Sequence, residues 1–428
     1  MLQDDIRAAI DLGTTKVSAI IGKQRDGGSV EVLGMGTAPS DGMTRGAITD
    51  APQVTGAIRT ALSAAEKDAG VSIRAAYVGL GGSQIESRNQ WTRVPNQGIA
   101  VVTQTDVNRA LAIARSEAAN SGDHLLHVLP RSYALDGIYG VRNPLGMHAR
   151  EMYIQTHVIT GAREAMGLLT STVEDAGLQV GGTIVQMLGS AESALNRQEK
   201  DDGVVLIDVG GGTTDVAVFY EGTIVHTVVL PVGGWQFSND LVQSFNTSFA
   251  EAERLKITHG AAIPAVRGAT DELSVNANGM DQPLVITRRE LSQLIHDRAS
   301  EMLEMVRLRL QAPHLRDIPL NRIVITGGGA KLDGFQAVVK ATFQGKVRTA
   351  APSGVEGLPA ERQDPAFTST VGLLLWGMHN LARESHVGAR KAVSTSDVRM
   401  FDRFKGWISS RRTTTAERTP VGAGKPAS

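Results

Sequence analysis

One pattern occurs twice in this chain, and it restricts the possible folds more than any other feature. Residues 8–21 read Ala-Ala-Ile-Asp11-Leu-Gly13-Thr14-Thr15-Lys16-Val-Ser-Ala-Ile-Ile. Residues 204–219 read Val-Val-Leu-Ile-Asp208-Val-Gly210-Gly211-Gly212-Thr213-Thr214-Asp215-Val-Ala-Val-Phe. Each is an apolar strand, an Asp-x-Gly turn, a Thr pair, a charged residue and a second apolar strand, which predicts a hairpin. A third apolar stretch follows each hairpin, Val30 to Met35 and Thr223 to Leu230. A repeat of such long period is not a solenoid; it predicts two related α/β halves.

The repeated turns also carry chemistry. Glycine lets a backbone approach an anion closely, and successive turn N–H groups form a concave nest of donors that Thr hydroxyls extend. A carboxylate gains nothing by touching phosphate directly, but it can hold a hydrated Mg²⁺ that neutralises phosphates. Asp11 and Asp208 are therefore the expected Mg²⁺ positions, acting through water. Two such hairpins face to face would clamp a pair of phosphates. A third element, Arg322-Ile-Val-Ile-Thr326-Gly327-Gly328-Gly329-Ala330, is a buried strand running into a glycine turn ahead of an expected helix, Phe335 to Phe343. Its bare backbone can lie against a base or ribose near a helix N-terminus.

Helical periodicity separates the strands. Ala51 to Ala69 follows a capping Asp50 and stops at Gly70. Gln104 to Asn120, Ala162 to Ala176 and Gln186 to Gln198 also read as helices, and Thr287 to Gln311 is long and amphipathic. Residues 381–396 are polar and aperiodic and read as a linker, while 413–428 read as a disordered Thr/Pro/Gly/Ala tail. The chain has no cysteine, which excludes disulfides, thiolate metal sites and a cysteine nucleophile. His124 and His127 stand three apart with no third ligand nearby in sequence, so a structural role is expected. The N-terminus is polar and predicts no secretory signal. The best apolar run, Val371 to Met378, is far short of the about 20 residues that span a bilayer. A soluble, cytoplasmic chain is expected, with only peripheral membrane contact.

Asp11-Leu-Gly-Thr-Thr, Asp208-Val-Gly-Gly-Gly-Thr-Thr-Asp and Thr326-Gly-Gly-Gly-Ala resemble the two phosphate motifs and the adenosine motif of the actin / sugar-kinase / DnaK-type ATPase superfamily. The resemblance implies an α/β, actin-like fold: two RNase H-like halves around a nucleotide cleft that takes ATP and Mg²⁺. Between the repeats lie Gly81-Gly-Ser-Gln-Ile-Glu-Ser, His127-Val-Leu-Pro-Arg-Ser-Tyr133-Ala-Leu-Asp136-Gly, Arg142-Asn-Pro144-Leu-Gly146-Met and His157-Val-Ile-Thr. These closely resemble the small insert subdomain of the FtsA family of bacterial cell-division proteins, as does Glu251-Ala-Glu253-Arg-Leu-Lys256-Ile-Thr-His-Gly. The likeness spans about residues 6–380 and resumes at a C-terminal helix.

The organisation it implies is as follows. Residues 1–79, 162–202 and 365–380 form the first core subdomain, with an insert at 80–161. Residues 203–236 and 321–364 form the second core subdomain, and 237–320 a fourth subdomain. A linker (381–396), a membrane-targeting helix (397–412) and the tail complete the chain. By resemblance, Glu253 and Lys256 sit at the ribose and Gly233-Gly234 near the phosphates. Read from the residues alone, Glu253 and Lys256 are an i,i+3 surface pair worth a few tenths of a kcal/mol. Glu192, in the helix before the second motif, is the expected water-positioning group, although an exposed helix residue would look the same. Arg288 and Arg298 align with basic positions where the FtsZ C-terminal peptide docks in the family.

The segment Asp397 to Arg412 is amphipathic in a distinctive way. At about 100° per residue, Met400, Phe401, Phe404, Trp407 and Ile408 share an arc of about 120°. Arg399 and Arg403 lie opposite, with Lys405, Arg411 and Arg412 at or near its flanks. Bulky apolar side chains sink into the acyl boundary while cations meet anionic headgroups at about 1 kcal/mol each. Charge supports this. The whole chain carries 43 Lys+Arg against 44 Asp+Glu, but residues 381–428 hold 10 against 4, a net of +6 that leaves −7 for residues 1–380. An acidic body argues against bulk nucleic-acid binding.

Two functions follow. One is an ATP-binding, filament-forming division protein that tethers FtsZ to the cytoplasmic face of the inner membrane at the division site and helps recruit later division proteins. Nucleotide there is mainly an assembly ligand, any ATPase activity is weak, and polymerisation supplies avidity to a modest anchor. The alternative is a soluble actin-superfamily ATPase or small-molecule kinase. No substrate domain follows residue 380, which favours the first.

Overall fold

The two hairpins open two five-stranded sheets of the same order. The computed structural model describes residues 5–384 except 96–99, 121, 266 and 280. In the first sheet, Ile6–Leu12, Lys16–Gln24 and Val30–Pro39 form an antiparallel meander. Ile6–Leu12 pairs on its other side in parallel with Ala75–Leu80, which pairs with Gln179–Val185. In the second, Val204–Val209, Thr214–Tyr220 and Thr223–Leu230 form the meander, followed in parallel by Arg322–Thr326 and Lys346–Thr349. Asp11 is in register with Ser18 and Gly79. Asp208 is correspondingly in register with Asp215 and Thr326. The fold is actin-like, and the repeat legible in the sequence is a repeat of topology.

Local chemistry sets the helix ends. Helix α1 (Ala51–Ala69) starts where Asp50 Oδ1 accepts from the Gln53 N–H at 3.1 Å and stops at Gly70, whose φ of 66° is left-handed. It lies so close to the third strand that a Cβ on Gly36 would overlap the Ala61 carbonyl. Helix α2 (Gln104–Ala119) opens on a capping box between Thr103 and Asp106. Helix α3 (Arg163–Asp175) packs beside α1. The helix expected over 186–198 breaks in two. Helix α4 (Gln186–Ala194) ends at extended Leu195, and Asn196 then caps α5 (Arg197–Asp202) reciprocally with Glu199. A new capping box thus overrides helical periodicity.

Helix α4 crosses α10 (Thr368–Glu384) between the sheets, at a point where a Cβ on Gly372 would overlap the Gly189 carbonyl. The apolar run of 371–378 lies within α10 and is buried on all sides. No helix among the described residues is long and apolar enough to cross a membrane. Helix α10 extends through Glu384, so residues 381–384, expected in the linker, are helical; Leu, Ala, Arg and Glu all favour helix continuation. The rest of the linker, the amphipathic segment and the tail lie outside the described residues.

Residues 234–309 form a helical layer with a hairpin. It contains α6 (Gly234–Phe245), α7 (Phe249–His259), the paired strands Glu272–Val275 and Leu284–Thr287, and α8 (Arg288–Arg309). Helix α9 (Phe335–Phe343) covers the second sheet.

The insert is an antiparallel sheet in the order Ile138–Val141, His124–Leu135, Met152–Gly161, Ile85–Val94. Helix α2 covers one face over its own core, including Val107, Leu111, Tyr133, Ile154 and Val158. The insert interrupts the first half but is fastened to the second. Ser87 Oγ donates to the Thr227 carbonyl at 2.9 Å and Asn89 Nδ2 to the Val225 carbonyl at 3.2 Å. His157 lies between them, with Nδ1 at 2.8 Å from Asn89 Oδ1 and Nε2 at 2.9 Å from Thr227 Oγ1. The carboxamide oxygen can only accept, so His157 carries its proton on Nδ1 and is neutral. His127 is also buried and structural: its Nε2 accepts from the Val185 N–H at 3.2 Å, and its ring meets Trp376 edge-on.

Burial lowers the His157 pKa to about 3. The unfolded chain therefore takes up a proton near pH 6.5 that the folded one refuses until about 3. Stability is fully present above the unfolded value and falls by about 1.4 kcal/mol per pH unit below it. A pH series of urea midpoints should show His157→Gln losing stability less steeply than the parent between these limits. Equal slopes would refute the buried neutral imidazole.

Candidate nucleotide site between the two sheets

Of the carboxylates that end the two equivalent strands, Asp11 is buried and Asp208 half-buried, and neighbouring helices grip both. Asp11 Oδ1 accepts from Gln186 Nε2 at 2.5 Å, and Oδ2 accepts from Ser369 Oγ at 2.6 Å and Thr370 Oγ1 at 2.7 Å. Asp208 Oδ2 accepts from Ser190 Oγ at 2.5 Å. Gln186 and Ser190 are one turn apart and share a face of α4. Gln186 also donates to the Leu12 carbonyl at 3.1 Å.

The turns beyond these carboxylates meet each other. The Gly13 N–H closes on the Lys16 carbonyl at 3.0 Å, and the Gly210 N–H on the Thr213 carbonyl at 2.9 Å. A Cβ on Gly211 would press into Thr15, and one on Gly212 into Thr14. Gly233 and Gly234 lock onto the second turn: the Gly234 N–H donates to the Gly210 carbonyl at 2.9 Å and the Trp235 N–H to that of Gly211 at 2.7 Å. Helix α6 therefore begins at the phosphate-type turn, with its N-terminal N–H groups there. Gly327 has φ 84°, and a Cβ on it would overlap Asp208 Oδ1; one on Gly329 would overlap Val209. Gly328 has open space around it. All three glycine elements named by the sequence thus converge on one cleft.

Lys256 Nζ donates to Glu253 Oε2 at 2.7 Å and to the Gly234 carbonyl at 2.9 Å, while Ser238 Oγ donates to the same Glu253 oxygen. The Lys256 side chain is 13% exposed, so this is not a surface pair. Lys16 Nζ donates to the Ala366 carbonyl at 2.7 Å and lies over the Phe367 ring. Burial lowers its pKa to about 8, against the pull of Asp11 and Asp364. The Thr214 hydroxyl donates to the Val232 carbonyl at 2.8 Å, so it braces the turn from behind.

Of the other positions named from the sequence, Glu192 points away from the carboxylates, while Arg288 and Arg298 lie on α8 within the 237–320 layer. Glu192 is about 200° around α4 from Ser190 and pairs with Lys200 at 3.2 Å and His379 at 3.7 Å. Arg288 donates to the His259 carbonyl at 2.8 Å and the Arg267 carbonyl at 2.6 Å. Arg298 is bidentate to Asp240 at 2.6 and 2.8 Å and also reaches Glu301. Both guanidinium groups are engaged within the chain.

Sequence reasoning missed Gln186, Ser190, Ser369, Thr370 and the inward-facing Asp215. Only the Gln186/Ser190 spacing behind a strand end was a usable signal. Asp215 is buried and Asp208 half-buried. Burial first, then Asp208, pushes the Asp215 pKa up to about 8; burial and Asp11 push that of Asp208 up to about 6. Asp215 Oδ1 is buried with no hydrogen-bond partner. No group of three acids or imidazoles among the described residues could hold a metal ion directly, so the all-oxygen set of Asp11, Asp208 and Asp215, with its orphaned oxygen, fits Mg²⁺ only through the ion's hydration shell.

Comparison with known proteins decides the family. A model described as "Cell division protein FtsA" matches residues 205–372, and one described as "SHS2 domain inserted in FTSA" matches 82–160. The cell division protein FtsA of Pseudomonas aeruginosa is 33% identical over 407 residues, covering 93% of this chain and 96% of that one. The chain belongs to the FtsA family of cell division proteins. FtsA of Escherichia coli is 32% identical over 411 residues, again covering 93% and 96%. Among solved structures, the PilM-PilN type IV pilus biogenesis complex aligns with TM-score 0.64 at 17% identity, covering 87% of this chain and 98% of that one. MreB5 of Spiroplasma citri, solved with ADP, aligns with TM-score 0.55 at 16% identity, covering 90% and 99%. These structures carry the fold alone. Within the FtsA family frame, the SHS2 match coincides with the α2-covered sheet.

A buried charge without a cation destabilises the folded chain. The Asp215 pKa lies above its unfolded value, so its penalty grows as pH rises and is complete above about 8. In nucleotide-free, metal-free buffer above that pH, Asp215→Asn should be more stable than the parent by about 1–2 kcal/mol by thermal denaturation. A lower melting temperature would refute the repulsive cluster.

Proposed function

We propose that this FtsA-family chain binds Mg-ATP in the cleft between its sheets, assembles into actin-like filaments and tethers FtsZ to the cytoplasmic face of the inner membrane. The observation that carries the nucleotide reading is the convergence of two equivalent Asp-x-Gly turns and a third glycine turn on one set of carboxylates. The turn N–H groups supply donors for phosphate oxygens, and the positive end of α6, whose first N–H groups hold the turn carbonyls, adds attraction for their charge. Lys16, held by the Ala366 carbonyl, adds a cation. Asp11, Asp208 and Asp215 would hold Mg²⁺ through water, and the metal supplies charge neutralisation of the phosphates. Glu253 and Lys256, beside Gly234, are placed for the ribose. The group on α4 that faces the carboxylates is Gln186, so the water-positioning role proposed for Glu192 passes to Gln186. A carboxamide orients water without abstracting a proton, which fits slow turnover and an assembly role for nucleotide.

The membrane and partner assignments rest on sequence and family. The arc of Met400, Phe401, Phe404, Trp407 and Ile408 with its basic flank suits an anionic bilayer. The FtsZ peptide is assigned to the layer of 237–320. There Arg298 is already paired with Asp240, so an acidic peptide must compete for it or be read by neighbouring groups.

Asp208→Ala should weaken Mg-ATP binding about 100-fold or more by calorimetry, near 3 kcal/mol; unchanged affinity would sink the cleft assignment. Trp407→Glu should abolish co-sedimentation with anionic liposomes while leaving nucleotide binding intact. If the variant still pellets with lipid, the anchor lies elsewhere.

A further inference from the structure

Where the insert meets the second sheet, cationic and imidazole side chains gather. Arg131 lies on the insert strand His124–Leu135, and His157 on its neighbour Met152–Gly161. His226 lies on Thr223–Leu230, His314 in the short turn after α8, and Arg309 at the end of α8. Arg131 lowers the proton affinity of His157, His226 and His314, and Arg309 adds to its effect on His226. Glu221, the acid of this junction, is held by Arg142.

Two polar atoms in this cluster are buried without a partner among the described residues: Arg131 Nε and His226 Nε2. His157 is different, since both its nitrogens are satisfied. His226 Nδ1 faces His314 Nε2 at 3.2 Å. If His314 donates in that contact, His226 bears its proton on Nε2, as a free donor. Arg131 is half-buried, and Nε is the atom of its guanidinium left buried without an acceptor.

Backbone geometry singles out the same place. Gln155 pairs with Ser132 and the next residue, Thr156, with Pro130, so Arg131 is the extra residue of a β-bulge. Val218 pairs with His226 and Phe219 with Ile224, so a second bulge adjoins His226. Bulges re-aim side chains. Here one lies on each side of the junction, and the exposed His314 leaves it open to solvent.

We propose that this junction is an anion site, in which Arg131, His226 and His314 bind a small dianionic oxyanion of the phosphate class. A guanidinium fork matches two oxygens of a tetrahedral anion, and an imidazolium supplies a third charged donor. Arg309 adds long-range attraction at the rim. Binding takes up a proton on imidazole, so affinity rises as pH falls only until the anion itself becomes protonated. Because Arg131 belongs to the insert and His226 to the second sheet, the anion bridges the two. The site is separate from the nucleotide cleft and owes nothing to the ATP assignment.

The test is ¹³C-histidine NMR on the full chain, with inorganic phosphate compared with chloride at matched ionic strength and signals assigned through His226→Gln and His314→Gln. Phosphate should shift the His226 and His314 signals saturably and raise their titration midpoints by about one pH unit. Arg131→Gln should abolish the response, and His314→Gln, at an exposed position, should weaken the response of His226 severalfold. If Arg131→Gln does not fold, the His314→Gln result decides. The site is overturned if phosphate moves these signals no more than chloride does, or if the folded variants respond like the parent.

Discussion

Gln186 and Ser190 lie one turn apart on α4, and through them a single helix holds both strand-end carboxylates. Gln186 reaches Asp11 of the first sheet, and Ser190 reaches Asp208 of the second. The two sheets share no strand pairing, yet their charged ends are tied to one helix. Removing a carboxylate from water is tolerable only when its oxygens are hydrogen-bonded. The donors here come from α4 and from the first turn of α10. The carboxylates therefore dictate where both helices begin. Asp11 requires Ser369 and Thr370 at the start of α10, just as it requires Gln186 at the start of α4.

Such placement demands that α4 and α10 approach each other closely, and glycine allows it. The Gly189–Gly372 crossing leaves no room for a Cβ. A side chain there would push α10 away from α4 and pull Ser369 and Thr370 off Asp11. The same logic fixes Gly327, where left-handed backbone lets the third turn pass against Asp208. Packing at the crossing and chemistry at the cleft are therefore one constraint.

The elements whose signals are local were legible in the sequence. Paired Asp-x-Gly hairpins, the Asp50 and Gly70 caps of α1 and the apolar face of α8 each depend on neighbours within a few residues. What was not legible depends on contacts between distant segments. Gln186 reaches Asp11 across 175 positions and Thr370 across 359. Nothing in the sequence around Gln186 distinguishes it from Glu192, which composition made the better candidate. Rotation about the helix axis separates them, and that rotation is set by which face of α4 packs on α10. The end of α4 was misplaced because Asn196 and Glu199 form a capping box inside an otherwise continuous helical pattern. Lys256 looked like half of a surface pair because nothing local shows that the start of α6 covers it.

The insert adds a constraint absent from a plain pair of sheets. Its chain enters and leaves through the first half, but its free face binds the second through Ser87, Asn89, His157 and the Arg142–Glu221 pair. Any rotation that opens the cleft must slide or break this contact. Buried, directional hydrogen bonds do not stretch gradually; His157 either keeps both partners or loses them. The contact is therefore made or broken rather than stretched. A bridging anion between Arg131 and His226 would bias that choice. An event at the cleft and an event at the insert would then be read through the same few residues.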